Sequence, residues 1–141
     1  MSLTRKLEQL VEELAVLDDS QERLSLIVDR AKRVPHLPAS ERTDANRVRG
    51  CVSVVWLVGE IRDGACHFRA DAEAPLVRGL VLFVCDFFSG FPASALAHTE
   101  VDPLETLRIT RDLSPTRRNG LTAVRHAIRQ FAQRQLATPL P

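Results

Sequence analysis

The sequence predicts an α+β fold with two N-terminal helices, a small antiparallel sheet of about three strands and a helical C-terminal half. That half is expected to surround a buried central helix. Three observations predict this fold: leucines at helical spacing near the N-terminus, apolar–polar alternation around Asp63-Gly64, and an apolar run from Ala74 to Phe88. A chain of 141 residues suits one domain, so residues 1–141 are predicted to form a single domain.

The composition excludes several functional classes. Hydrophobic residues make up 45% and charged residues 26% of the chain, as in ordinary soluble proteins, and the net charge is +1. This near-neutral charge argues against a nucleic-acid partner, and the lack of an 18-residue apolar run argues against a membrane span. The three cysteines form no C-x-x-C pair, which favours a reducing cytoplasm over a disulfide framework.

Two amphipathic helices are predicted at the N-terminus. Apolar residues recur at helical spacing from Leu3 to Leu17, with charged residues between them. Asp19 and Glu22 form a capping-box pattern that should begin the second helix. Proline disfavours a helical conformation in the residue before it, so Val34-Pro35 should end that helix. Residues 35–45 are then expected to form a surface connection.

The next segment predicts a β-hairpin. Residues 52–61 are β-prone, and Asp63-Gly64 is a type I′ turn signal. A two-residue loop there places residue 61 opposite 66, 59 opposite 68 and 57 opposite 70. One face then carries only apolar residues, namely Val55, Leu57, Ile61, Cys66, Phe68 and Ala70. The other face carries Glu60 opposite His67, and these two side chains are expected to pair.

The C-terminal half is predicted to be helical. The run from Ala74 to Phe88 is apolar on nearly every side, with Pro75 in its first turn and Gly90 just beyond its end, so it should form the buried central helix. Arg78 and Asp86 interrupt its apolar surface. Residues 91–113 suggest one or two short helices. Ser114-Pro115 should open the last helix, whose inward residues are Leu121, Val124, Ile128 and Phe131, with the tail frayed after Leu136.

Cys51 is the candidate for chemistry. It follows Gly50, which tolerates a tight or left-handed turn and can present the next side chain where a strand begins. Cysteine reacts as the thiolate, and Arg47 and Arg49 would favour that form if they lie near the sulfur. Parity with the apolar face suggests a partly inward thiol, and burial would instead raise its pKa. The alternative is that Cys51 is a small buried hydrophobic residue.

Cys66 and Cys85 are interpreted as packing residues. A metal or iron–sulfur scaffold would need the cysteines and histidines to converge on one point. The hairpin register instead separates Cys51 from Cys66 by about 30 Å along the strand. A cysteine–histidine hydrolase would need a base beside the sulfur, and its candidates, by residue type alone, are His36, His67, His98 and His126. No triad order or oxyanion motif accompanies them.

The last helix is basic, with arginines at positions 117, 118, 125, 129 and 134 and no acidic residue after Ser114. A solvated face explains most of them, and nucleic-acid binding would usually bring aromatic stacking residues. Arg117 differs because it lies in the first turn, where a positive charge opposes the helix dipole. A residue placed against local preference suggests an outside partner.

Three motifs, in order along the chain, resemble the SufE family of sulfur acceptors in iron–sulfur cluster assembly. The first is N-x-V-x-G-C-x-S-x-V-W, formed here by Asn46, Val48, Gly50, Cys51, Ser53, Val55 and Trp56. The second is the acidic start of the central helix, residues 71–80, and the third is L-S-P-x-R-x-x-G-L, residues 113–121. One departure is Val52, where many members carry glutamine.

The resemblance implies that Cys51 takes persulfide sulfur from a cysteine desulfurase and passes it to an iron–sulfur scaffold complex. The protein would stimulate the desulfurase as a covalent sulfur carrier rather than act as a stand-alone enzyme. It would hold no cofactor or metal of its own, because the pyridoxal phosphate belongs to the desulfurase, and a homodimer is compatible with the family. The implied loop and docking residues are Arg49, Gly50, Ser53, Trp56, Glu73 and Arg117. A metal or iron–sulfur scaffold and a non-covalent activator of a partner remain the alternatives.

Overall fold

The computed structural model describes residues 1–137. Its α-helices are α1 (Leu3–Leu14), α2 (Ser20–Ala31), α3 (Pro75–Phe88), α4 (Ala93–Leu96), α5 (Pro103–Thr106) and α6 (Pro115–Ala137). The strands are β1 (Val55–Arg62) and β2 (Ala65–Ala72), and short 3₁₀ turns lie at Asp44–Asn46 and Ile109–Asp112. Of the tail predicted to fray, Ala137 is helical and residues 138–141 lie outside the described part.

The α+β architecture is confirmed, but the prediction of about three strands is wrong for the described residues. The sheet there has two antiparallel strands, β1 and β2. β1 begins at Val55, because residues 52–54 of the β-prone run belong to a loop. The outer edges of the sheet are met only by the isolated bridges Arg47–Trp56 and Cys66–Phe91. Neighbouring segments therefore touch the sheet at single positions without becoming strands.

The predicted hairpin register is confirmed. The paired residues include Ile61 with Cys66, Gly59 with Phe68 and Leu57 with Ala70. Asp63 and Gly64 both have positive φ, at 52° and 78°, as a type I′ turn requires. The turn and the alternation specify the same register, and the structure adopts it.

The predicted apolar face of the hairpin is buried except at its tip. Cys66 and Phe68 are in the core, whereas Ile61 is 44% exposed beside the turn. On the other face, Glu60 stands opposite His67 as predicted. Its carboxylate, however, lies 3.6 Å from Arg62 Nε and 3.8 Å from Arg69 Nε. The expected pairing of Glu60 with His67 thus gives way to these arginines, which also extend from that face.

Capping side chains begin the two N-terminal helices. Ser2 Oγ accepts a hydrogen bond from the Arg5 backbone N–H at 3.1 Å, and the Asp19 carboxylate accepts one from Gln21 at 3.0 Å. Lys6 attaches α1 to the far end of α3, where its Nζ donates to the carbonyl oxygens of Asp86 and Phe87 at 2.9 and 2.7 Å. These lysine hydrogen bonds satisfy carbonyls at the C-terminal end of α3.

α3 is the buried central helix that the sequence predicts. It begins at Pro75 and ends before Gly90, whose φ is +94°. The helix packs against α2, β2 and α6, and most of its side chains are buried. No helix within residues 1–137 has the length and apolarity needed to cross a membrane.

Arg78 does not interrupt the packing of α3 but takes part in a buried ion pair. It is 7% exposed, and its Nε donates to the Asp71 carboxylate, 2% exposed, at 2.8 Å. The rest of the guanidinium donates to the carbonyl oxygens of Ala31 and Val34 at 2.8 Å each. This ion pair therefore connects the end of α2 to the junction of β2 and α3.

Candidate functional site

Cys51 lies in a loop whose base is held by backbone hydrogen bonds. The segment from residue 49 to residue 54 is named the Cys51 loop here. At its base, the Val48 N–H donates to the Val55 carbonyl oxygen at 2.9 Å. The Glu73 N–H donates to the Val54 carbonyl oxygen at 3.2 Å. The loop is therefore attached to the start of β1 and to the segment that precedes α3.

The Cys51 thiol lies against the last helix. Cys51 is half-buried and packs against the apolar core. A Cβ atom built on Gly120 of α6 would lie only 2.9 Å from the Cys51 Sγ. Gly50 has a φ of +83°, which a glycine adopts without strain, and its position faces Ala123 of the same helix. The predicted inward thiol is confirmed, and small residues of α6 receive the loop.

Two recesses of different character border Cys51. The inner one lies between the loop, α3 and α6 and holds about 10 Å³, roughly the space of one water molecule. Its lining is mostly apolar and comprises Cys51, Ser53, Val77, Leu80, Val81, Thr116, Arg117, Gly120 and Leu121. The outer one is an open depression of about 330 Å³ lined by Asp44, Arg47, Val48, Arg49, Gly50 and Cys51. The thiol thus stands between an apolar interior and a polar surface.

Burial decides the ionisation of Cys51. Burial raises the pKa of the Cys51 thiol, while a backbone hydrogen bond from Ser53 and the charge of Arg47 lower it by less. The pKa is therefore higher than that of an ordinary cysteine. The sequence offered two arginines to favour the thiolate, and Arg47 supplies that effect. In this inward position the thiol is protonated at neutral pH.

The structure brings several predicted site residues to the surface around Cys51. Arg49 is exposed on the loop, and Val52 at its tip is 80% exposed. Arg117 is exposed in the first turn of α6 and borders the inner recess. Together these residues place cationic and apolar groups on one surface beside the thiol.

The other predicted residues act on the loop from beneath it. Ser53 is half-buried and lines the inner recess. Trp56 is half-buried in β1, where it stands opposite Asp71 and forms a bridge with Arg47. The Glu73 side chain is exposed, and its backbone N–H holds the loop. Trp56 and Glu73 therefore belong to the base of the Cys51 loop.

Cys66 and Cys85 are packing residues, as predicted. They are 0% and 2% exposed, in β2 and α3 respectively. Burial raises the pKa of both thiols, that of Cys85 to about 12 with a further contribution from the nearby charge of Asp86. Thiols in this environment remain protonated and inert.

The histidines and acids do not gather around the cysteines. No histidine lines either recess beside Cys51, and the His36 imidazole instead contacts the Asp71 carboxylate at 3.0 Å. Within residues 1–137, no three histidine, cysteine, aspartate or glutamate side chains are grouped where they could hold a metal ion. The described geometry thus offers Cys51 neither a histidine base nor metal-ligating neighbours.

Replacing Cys66 or Cys85 by alanine should cost stability and leave the chemistry of Cys51 unchanged. Each substitution removes a buried sulfur atom, so the free energy of unfolding should fall by about 1 to 2 kcal/mol. Urea denaturation would measure the loss, with the half-buried Cys51→Ala as the control that loses less. Loss of stoichiometric zinc or iron in either variant would contradict the packing role and favour a metal scaffold.

Sequence reasoning missed Gly120, Asp71 and Arg78 as residues that shape the site. Gly120 and Asp71 occurred in the quoted motifs without an assigned role, and Arg78 was noted as an interruption of an apolar helix. A glycine inside a helical run was the available signal, because glycine weakens a helix unless a close approach requires it.

Comparison with known proteins gives a consistent result. Residues 8–132 match the family model described as SufE, Fe-S metabolism associated domain. An uncharacterized SufE-like protein of Rhizobium meliloti is 34% identical over 137 residues, covering 92% of this chain and 96% of that protein. One of Rhizobium etli is 34% identical over 132 residues, covering 90% and 89%.

A solved structure shares the fold. The solution structure of a hypothetical protein from Thermus thermophilus has a TM-score of 0.75 to this chain and 18% sequence identity. The match covers 94% of this chain and 97% of that one.

Proposed function

The chain belongs to the SufE family, which is associated with iron–sulfur metabolism, and we propose that it is a sulfur carrier acting through Cys51. In this proposal a cysteine desulfurase supplies the sulfur, and an iron–sulfur scaffold complex receives it. The protein also stimulates the desulfurase, because taking the sulfur frees the desulfurase cysteine for another turnover.

One observation carries this proposal: Cys51 is the cysteine whose thiol borders a surface. Cys66 and Cys85 are buried in the core with raised pKa values. Cys51 instead lines an open depression, beside the exposed arginines of the loop and of α6. A carrier needs a thiol that a partner can reach and a surface that the partner can recognise, and this site combines the two.

The transfer conserves atoms and electrons without an added oxidant or reductant. The Cys51 thiolate attacks the terminal sulfur of the persulfide on the desulfurase cysteine. A new S–S bond forms on Cys51, the old S–S bond breaks, and the desulfurase cysteine leaves as a thiolate. The proton of the Cys51 thiol passes to solvent or to the leaving thiolate. Transfer to the scaffold repeats the exchange with an acceptor thiolate.

Docking has to move the thiol before it can react. Burial raises the pKa of Cys51 in the inward position, so the nucleophile is mostly protonated there. Outward rotation toward the open depression exposes the sulfur to water and brings its pKa toward the usual value. In this proposal the desulfurase induces that movement by binding the exposed Val52 and the arginines around it.

Mass analysis of the protein after incubation with a cysteine desulfurase and free cysteine tests the proposal. We expect a gain of one sulfur atom on the peptide that contains Cys51, and no gain in Cys51→Ser. Serine keeps the shape of the side chain, but its hydroxyl does not ionise at neutral pH and forms no stable persulfide. The other two cysteines remain in this variant, so any remaining sulfur would be located on them.

The alternatives give different results in the same experiment. Stimulation of the desulfurase without any sulfur on Cys51 would indicate a non-covalent activator. Equal labelling of Cys66 or Cys85 would contradict the assignment of the carrier residue. Metal analysis of the purified protein checks the scaffold alternative, for which stoichiometric iron or zinc is required.

A further inference from the structure

We propose that Gly120 is the positioning residue that holds the Cys51 thiol in its inward place. The space where a side chain at position 120 would begin is filled by the cysteine sulfur, since a Cβ there would lie 2.9 Å from Sγ. Beyond the neighbouring backbone of α6, Cys51 is the only described residue with atoms within 4 Å of that point. The sulfur therefore occupies the room that the missing side chain leaves.

The backbone does not require glycine at this position. The glycines with positive φ are Gly50, Gly64 and Gly90, whereas Gly120 lies inside a helix. Glycine in a helix interior is less favourable than alanine, because it loses more conformational freedom on folding. Local preference therefore favours alanine at this place, and the contact with Cys51 is what favours glycine.

A methyl group at position 120 should act on the thiol rather than on the helix. The atom in its way is the end of a short side chain that rotates about one bond, and the Cys51 loop carries it. The open depression on the other side of Cys51 provides space for the displaced sulfur. In that outward position the sulfur loses its burial, which is the main cause of its raised pKa.

Gly120 thereby sets the balance between a protected and a reactive thiol. With glycine, the free protein keeps the sulfur inward, and a partner must draw it out. This meaning for sulfur transfer depends on the proposed function, but the effect on the thiol itself does not.

Alkylation of Cys51 in Gly120→Ala tests the inference without any desulfurase. The rate with iodoacetamide would be followed between pH 6 and 10 by peptide mass analysis, with Cys66 and Cys85 as buried internal references. We expect alkylation of Cys51 at pH 7 to be about tenfold faster than in the wild type, which corresponds to a pKa lower by about one. Asn119→Ala is the matched control, because it adds an alanine to the exposed face of the same turn.

A thermodynamic cycle with Cys51→Ala separates the contact from general effects on the helix. Gly120→Ala should raise the melting temperature in the Cys51→Ala background, where the obstructing sulfur is absent, and raise it less or not at all when Cys51 is present. The inference is overturned if Gly120→Ala has the wild-type alkylation rate and pH profile, or if its effect on melting is the same in both backgrounds. Faster alkylation in a protein that accepts no sulfur would leave this inference standing and refute the proposed function instead.

Discussion

Arg78→Met should lower the free energy of unfolding at pH 7 by about 3 to 5 kcal/mol. Methionine keeps much of the side-chain volume, so the main change is the loss of the guanidinium. Asp71, 2% exposed, would then be a buried carboxylate without its cationic partner. The carbonyl oxygens of Ala31 and Val34 would also lose their donor at the end of α2. Urea denaturation of the variant measures the combined loss.

Arg69→Met is the matched control for this substitution. The Arg69 guanidinium also binds a carboxylate with two hydrogen bonds, that of Glu41, but its side chain is 44% exposed. An exposed ion pair contributes little because water already solvates both charges, so the loss should be under about 1 kcal/mol. Similar losses in the two variants would mean that burial does not determine the contribution of the Asp71–Arg78 pair.

The loss caused by Arg78→Met should depend on pH. Burial raises the pKa of Asp71, but the hydrogen bonds from Arg78, His36 and the Ala72 and Leu37 N–H groups outweigh it, so the pKa is lowered. This lowered pKa stabilises the wild-type fold above the unfolded pKa of about 4, and the benefit is lost as the pH falls through the folded value. Without Arg78 the carboxyl protonates more readily in the folded protein. The difference between wild type and variant should therefore shrink below about pH 4, and an equal loss at pH 7 and at acidic pH would contradict the role of Asp71.

The register of the hairpin was predictable from the sequence, whereas the number of strands was not. Asp63-Gly64 and the alternation beside it are local signals, and both specify the same pairing. A third strand depends on whether a distant segment runs alongside an edge for several residues. Arg47 and Phe91 each meet the sheet in a single bridge, and no local pattern distinguishes such a bridge from a strand.

The position of Cys51 was predictable in part. Parity with the apolar face indicated an inward thiol, and the structure has it half-buried. The two opposing effects on its pKa could not be weighed from the sequence, because burial depends on α3 and α6, which lie far away along the chain. The same holds for Arg78, which looked like an interruption of an apolar helix until the fold placed it beside Asp71. Contacts between elements decide all of these cases.

Arg117→Glu should reduce stimulation of the desulfurase about tenfold or more while leaving the fold intact. Arg117 lies in the first turn of α6, where Ser114 Oγ accepts a hydrogen bond from its backbone N–H at 3.3 Å. A negative side chain there interacts favourably with the helix dipole, so stability should be unchanged or higher by a few tenths of a kcal/mol. The exposed guanidinium borders the recess beside Cys51, so its charge should act at the docking surface. Reversal of that charge would repel an acidic partner surface.

Arg5→Glu is the matched control, because Arg5 has the same position in its own helix. Ser2 Oγ accepts a hydrogen bond from the Arg5 N–H at 3.1 Å, both arginines are exposed, and both substitutions change the net charge equally. The neighbouring Lys6 binds the C-terminal end of α3, whereas Val77 near its N-terminal end lines the recess beside Cys51. The 14-residue helix between them is about 20 Å long. We therefore expect Arg5→Glu to retain near wild-type stimulation. Equal losses in both variants would indicate that overall charge governs docking, and no loss in either would locate the docking surface away from Arg117.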